Sequence, residues 1–170
     1  MKKSVLILTA AVFVLVSCKK SEENGVVINP QDIGFVYNAT LNNLAEVALG
    51  QLAADSSQTP EIQAFGQRMV SDHAAAQSEL ETLASELGIN TPDTLAPRHV
   101  QLRAALLNLK GRSFDSAYIH NQLIDHVNAV NLFENAHSIG NNWRLKDYAR
   151  GKVPALLMHR DEAQTLAGQY

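Results

Sequence analysis

Four stretches of this chain repeat apolar residues at intervals of three and four, and each is bracketed by helix punctuation. The clearest reads Ile62, Phe65, Met69, His73, Ala76, Leu80, Leu83 and Leu87, opened by Thr59-Pro60-Glu61 and closed by Gly88. Such spacing lines one face of a helix with 3.6 residues per turn. A preceding helix starts at the Asn29 cap and Pro30, with Asp32 in its first turn, and runs to about Ala54. Its expected stripe is Leu41, Leu44, Ala48 and Leu52, with Asn43 and Gly50 on the opposite side. A third long helix is expected from a Ser113 cap to about Ile139, with Ile119, Leu123, His126, Val130 and Phe133 on its stripe. The last starts near Trp143 and carries Leu145, Tyr148, Leu156, His159, Ala163 and Leu166. Pro154 inside it removes one backbone hydrogen bond and predicts a kink just before His159.

Residues 89–112 interrupt this regularity. Asn90-Thr91-Pro92-Asp93 breaks the chain, and Pro97 to Lys110 forms a shorter helical stretch ended by Gly111. With its flanking coil, a helix of roughly 21 Å could cross the length of a bundle. Strand-like alternation is absent from the sequence. The expected fold is all-α: a four-helix bundle over residues 30–168 with a short helix in its long middle crossover. A domain of this size can bury one core without disulfide or metal staples.

The first 29 residues have a different character. Lys2 and Lys3 precede an apolar run from Ser4 to Val16, the length of a signal-peptide core rather than of a membrane span. The run ends in Leu15-Val16-Ser17-Cys18, which resembles the bacterial lipobox. By that resemblance residues 1–17 are a lipoprotein signal peptide, and Cys18 receives acyl chains that hold the protein to a membrane. Residues 18–29 then form a flexible tether, rich in charge through Lys19, Lys20, Glu22 and Glu23. Lys19 after the cysteine, in place of the Asp of an inner-membrane retention signal, favours the outer membrane, with the domain facing the periplasm or the surface. Cys18 is the chain's only cysteine, so the domain forms no internal disulfide.

Charge excludes one class of partner. The chain carries 14 basic and 17 acidic residues; without Lys2 and Lys3 the charge is about −5, which gives no footprint for nucleic acid. Protein partners are not indicated. The chemistry instead concentrates on four residues, one on each long helix: Glu46, His73, His126 and His159. At 1.5 Å per residue they lie roughly 17, 23, 22 and 27 Å from their hairpin turns, so all four fall near mid-height of the bundle. Imidazole nitrogens with a carboxylate oxygen suit one transition metal ion: zinc, iron, manganese, nickel or copper. Asp72 and Asp125 each precede one of these histidines and could orient a ligand on a neighbouring helix. Tyr118, two turns before His126, could hydrogen-bond nearby, and Glu134 is expected at the rim. His99, His120 and His137 are expected at the surface or boundary. The same histidines could equally form a metal-free hydrogen-bonded core.

The segments Glu46-Val47-Ala48-Leu49-Gly50-Gln51-Leu52-Ala53, Phe65-Gly66-Gln67-Arg68-Met69-Val70-Ser71-Asp72-His73 and Phe114-Asp115-Ser116-Ala117-Tyr118 resemble a family of bacterial envelope proteins, domain-of-unknown-function family 4142. So do Asp125-His126, Phe133-Glu134 and Leu156-Leu157-Met158-His159 after Pro154. The resemblance covers about residues 31–167 and implies a ferritin-like bundle in the envelope, with no established activity. The chain departs from di-iron ferritin-like proteins, which carry Glu-x-x-His on two helices. Val70 and Leu156 stand where those glutamates would be. Three readings therefore stand: a tethered metal-binding protein for buffering or stress tolerance, a metal-free interaction module, and a metal-dependent oxidoreductase acting on peroxide. No Ser-His-Asp spacing or Gly-rich phosphate loop points to another enzyme class.

Overall fold

The structure, a computed structural model, describes residues 27–170. The expected signal peptide, Cys18 and most of the expected tether lie outside the described residues. Five helices follow: α1 Pro30–Ser56, α2 Pro60–Glu86, α3 Pro97–Leu107, α4 Gly111–Ile139 and α5 Trp143–Ala167. No strand occurs among the described residues, and none of these helices is long and apolar enough to cross a membrane.

α1 and α2 form one antiparallel hairpin and α4 and α5 the other; α1 packs beside α4, and α2 beside α5. Because α3 and its flanking coil carry the chain back along the bundle, α2 and α4 run parallel. Two buried aspartates fix this order at the two ends. Asp32 closes a capping box with Asn29, whose Oδ1 accepts from the Asp32 N–H at 2.8 Å. The same carboxylate accepts from the backbone N–H groups of Asn141 at 3.0 Å and Asn142 at 3.2 Å, tying the start of α1 to the α4–α5 turn. Asn142 in turn caps α5 through the N–H of Arg144. At the other end, Asp115 of α4 accepts from Ser57 and Thr59 hydroxyls, both at 2.6 Å. Thr59 is thus the N-cap of α2 by position only, because its hydroxyl serves Asp115. Charge-assisted bonds of this kind are the stronger ones, and here each joins separate elements.

One expectation about α4 changes. α4 begins at Gly111, two residues before Ser113, because a φ of +54° at this glycine turns the chain straight into the helix. α5 continues through Pro154 as a single helix, with Pro154 on its exposed side.

The stripe of α1 is also not the one hydrophobicity suggests. Of that expected stripe Leu52 is buried but Leu41, Leu44 and Ala48 are half-buried, whereas Ala39, Asn43, Glu46, Gly50 and Ala53, again spaced by three and four, are buried. Asn43 turns inward because Gln77 and His73 of α2 bond to it. Gly50 turns inward because α1 and α2 touch there backbone to backbone. A Cβ on Gly50 would stand 2.7 Å from the Gly66 carbonyl oxygen, and one on Gly66 would stand 2.6 Å from that of Gly50. Neither helix can retreat without opening the hairpin.

The core is split into two apolar halves. Phe35, Val36, Leu80, Phe133, Tyr148 and Leu156 anchor the half near the α4–α5 turn. Leu49, Phe65, Met69, Phe114, Tyr118 and Leu166 anchor the half near the α1–α2 turn. Along each long helix the polar residues fall between the two: Thr40, Asn43 and Glu46 on α1, His73 and Gln77 on α2, Gln122, Asp125 and His126 on α4, and His159 on α5. A polar layer therefore crosses the middle of the bundle.

The glycine contact yields a direct prediction. Gly50→Ala and Gly66→Ala should each destabilise the protein by about 1–3 kcal/mol through overpacking, despite the better helix propensity of alanine. Gly151→Ala, with open space around its Cβ, should be neutral or stabilising when the three variants are compared by urea titration.

Candidate metal centre

Each of the three core histidines is delivered by a different helix and is almost fully buried: His73 from α2, His126 from α4 and His159 from α5. Their ring centroids form a nearly equilateral triangle, 5.6 Å from His73 to His126, 5.5 Å from His73 to His159 and 5.4 Å from His126 to His159. One nitrogen from each ring lies within 4.8 Å of the other two.

The protonation of these rings follows from what holds their other nitrogens. His126 Nδ1 lies 2.9 Å from the Gln122 carbonyl oxygen, which can only accept, so Nδ1 carries the hydrogen. His159 Nε2 lies 2.8 Å from a carboxylate oxygen of Asp72 and carries the hydrogen for the same reason. For His73 the assignment passes through three side chains. The Glu81 carboxylate accepts from Gln77 Nε2 at 2.8 Å, which turns Gln77 Oε1 towards Asn43 Nδ2 at 3.1 Å. Asn43 Oδ1 is then left facing His73 Nδ1 at 3.0 Å and accepts its hydrogen. The remaining nitrogens, His73 Nε2, His126 Nε2 and His159 Nδ1, are therefore bare lone pairs, and none has a hydrogen-bond partner.

Protonation is a poor remedy for this arrangement. Burial lowers the pKa of His73 well below 6.5, and the neighbouring His126 and His159 lower it further. Burial also lowers the values for His126 and for His159, although Asp72 partly opposes the shift at His159. Three neutral nitrogen donors fixed by outer hydrogen bonds are the usual state of metal-ligating histidines. Nitrogens bound tetrahedrally at 2.0–2.1 Å stand roughly 3.4 Å apart, so a metal would draw the rings inward by about an ångström.

The other candidate residues lie around this triangle and not within it. Glu46 is buried but outside the three-histidine group, and its Oε2 has no hydrogen-bond partner. Burial, reinforced by the charge of Asp125, pushes its pKa up to about 8. The Tyr118 hydroxyl is buried without a partner, and burial together with Glu46 raises its pKa well above 10. Asp72 holds His159, but Asp125 turns away to the crossover helix, where Arg98 Nη1 lies at 2.9 Å and His99 Nε2 at 3.5 Å. These contacts outweigh burial and hold the Asp125 carboxyl below its ordinary value. The two Asp-His pairs thus serve different ends. Glu134, His120 and His137 are exposed on the outer surface.

His99 departs from expectation: it is buried, because α3 lies against α4 and brings its ring to Asp125. Sequence reading also missed Asn43, Gln77 and Gln122. The available signal was their spacing, since Asn43 lies one turn before Glu46 and Gln77 one turn after His73.

The fold and site together describe an all-α bundle, paired as two antiparallel hairpins around a crossover, with a three-histidine cluster in its core. This chain belongs to the family described as Domain of unknown function (DUF4142), which matches residues 19–166. It is also similar to a solved structure, the crystal structure of a DUF305 fragment from Deinococcus radiodurans. The two superpose with a TM-score of 0.73 at 14% identity, over 84% of this chain and 99% of that one, a likeness of fold. No curated protein matches the chain by sequence.

Titration of the interior should run in two directions. The histidines, with folded values below 6.5, contribute stability that is present above pH 6.5 and lost as pH falls towards those values. Glu46 has the opposite sign: with a folded value near 8 against 4.5, its neutral form is compatible with folding below pH 4.5 and its contribution is lost as pH rises to 8. Glu46→Gln should therefore raise the melting temperature little at pH 5 and clearly at pH 8. An equal gain at both values would show that Glu46 ionises freely in the fold.

Proposed function

We propose that this protein is a lipid-anchored envelope protein that holds one transition metal ion at His73, His126 and His159. The observation that carries this reading is three clustered, buried imidazoles, each with one nitrogen that no protein donor meets. A buried acceptor without a donor costs about 1–3 kcal/mol, and three such acceptors on clustered rings form a site that a cation would complete. Asn43, Asp72 and the Gln122 carbonyl are the groups that would hold the ligands in register. Three imidazoles suit zinc, nickel, copper or iron and suit magnesium or calcium poorly, since those ions prefer oxygen.

Buffering or stress tolerance fits this donor set better than peroxide chemistry. Val70 and Leu156 remove two carboxylates that a di-iron centre would use, and Glu46 stands outside the triangle. The envelope location rests on the sequence from Lys2 to Cys18, and the short tether would keep the bundle close to the membrane surface.

Incubation with Zn²⁺ or Co²⁺ followed by dialysis should leave one ion per full-length chain, and His126→Ala should retain none. Metal at one hundred times its dissociation constant should stabilise the fold by about 2.7 kcal/mol. Asp72→Asn should weaken affinity by about 10–100-fold while His159 remains present. Absence of any retained ion in the unaltered protein would leave the metal-free module as the surviving reading. For the anchor, labelled palmitate should be incorporated by the unaltered chain in bacterial cells and not by Cys18→Ser.

A further inference from the structure

The three-histidine triangle is closed on most sides but not on all. Between α2 and α5 a cavity of about 370 Å³ reaches inward to His73 and His159, passing Asn43 and Asp72, which hold those two rings. His126 is not part of its wall, so the cavity meets the cluster from one side. The interface here is thin: α2 and α5 touch sparsely, whereas each hairpin is closely packed along its length. The walls explain the space, because Ala75, Ala76, Gly151 and Ala155 present no side chain long enough to fill it. Gly151 has nothing within 4 Å of where a Cβ would be.

The charge of the opening is selective. Asp72 is a partly exposed carboxylate whose Oδ2 already bonds to His159. Glu79 stands at the mouth, paired with Lys152, which spans from α5 to α2 and also lies 5.2 Å from the Tyr148 ring centroid. Two carboxylates against one ammonium leave the passage net negative, which attracts cations and disfavours anions. A cavity of this size holds several waters, so an ion need not shed its hydration before it reaches the imidazoles.

We propose that this cavity is the path by which a hydrated divalent transition-metal ion enters and leaves the three-histidine site, with Asp72 beside its inner end and the Lys152–Glu79 pair across its mouth. The proposal rests on the metal-binding reading above. It makes the site exchangeable, as a buffering role requires, because the ion need not wait for the bundle to open. A path acts on the barrier and not on the bound or free state, so narrowing it slows entry and exit together and leaves affinity alone.

The test is stopped-flow loading of the full-length protein with Co²⁺, followed by its removal with excess chelator. Gly151→Phe and Ala155→Phe should each slow both phases at least tenfold, with a dissociation constant unchanged within about twofold. Lys152→Ala should accelerate both. Ala74→Phe, on the exposed face of α2 outside the cavity, should behave as the unaltered protein. Gly151→Phe is placed in open space, so it keeps the test available if Ala155→Phe fails to fold. Normal loading and release by a folded Gly151→Phe would overturn the path, as would weakened affinity with unchanged association. If the unaltered protein takes up no Co²⁺, Zn²⁺, Ni²⁺ or Cu²⁺, the metal site itself fails, and the path with it.

Discussion

Three buried imidazoles cluster in the middle of this bundle, and each has one nitrogen that no protein donor meets. Much of the surrounding structure can be understood as the support this arrangement needs. Uncompensated buried acceptors work against folding, so the stabilising contacts must lie elsewhere. They do: two apolar halves flank the polar layer, and every long helix crosses from one to the other. The helices cannot rotate to hide the polar residues, because rotation would expose both apolar halves at once. The aspartates at the bundle ends, Asp32 and Asp115, fix the axial position of the helices through buried hydrogen bonds to the opposite hairpin. Axial register places three histidines from three helices at one height.

Within the layer, two groups of polar residues divide the work. The α2–α5 side contains His73 and His159 together with Asn43, Asp72 and Gln77, and the outer hydrogen bonds of these two rings are complete. The α3–α4 side contains Glu46, Tyr118, Gln122, His99 and Asp125, and several of its polar atoms have no partner. Asp125 joins the crossover to the bundle through Arg98 and His99, so the connection is attached at the level of the candidate site. Glu46 sits on this side as a carboxyl that burial keeps largely neutral at neutral pH. A neutral Glu46 adds no negative charge to the interior beside the histidines.

The closeness of α1 and α2 and the looseness of α2 against α5 are complementary. Gly50 and Gly66 let the first hairpin close to backbone contact, which draws α2 towards α1. The small residues on the far side of α2 and on α5 do not fill the space that remains there. One hairpin interface is sealed and the opposite interface is porous.

The sequence by itself determined the number of helices, their approximate bounds, the long crossover and the depth of the three histidines. Those features follow from local periodicity, from caps such as Asn29-Pro30, and from a fixed rise per residue. It misassigned the inner face of α1, since hydrophobicity identifies a buried stripe only when that stripe is apolar. Here Asn43, Glu46 and Gly50 are buried beside Leu49 and Leu52, while Leu41 and Leu44 are only half-buried. It also left His99 at the surface or boundary, because that ring is buried beside Asp125, 26 positions further along the chain. Only the tertiary structure decided which histidine nitrogen is bare. That outcome runs from Glu81 through Gln77 and Asn43 to His73, across two helices, and from Asp72 on α2 to His159 on α5. A hydrogen bond depends on distance and direction between groups far apart in the chain, and no local pattern of residue types encodes either.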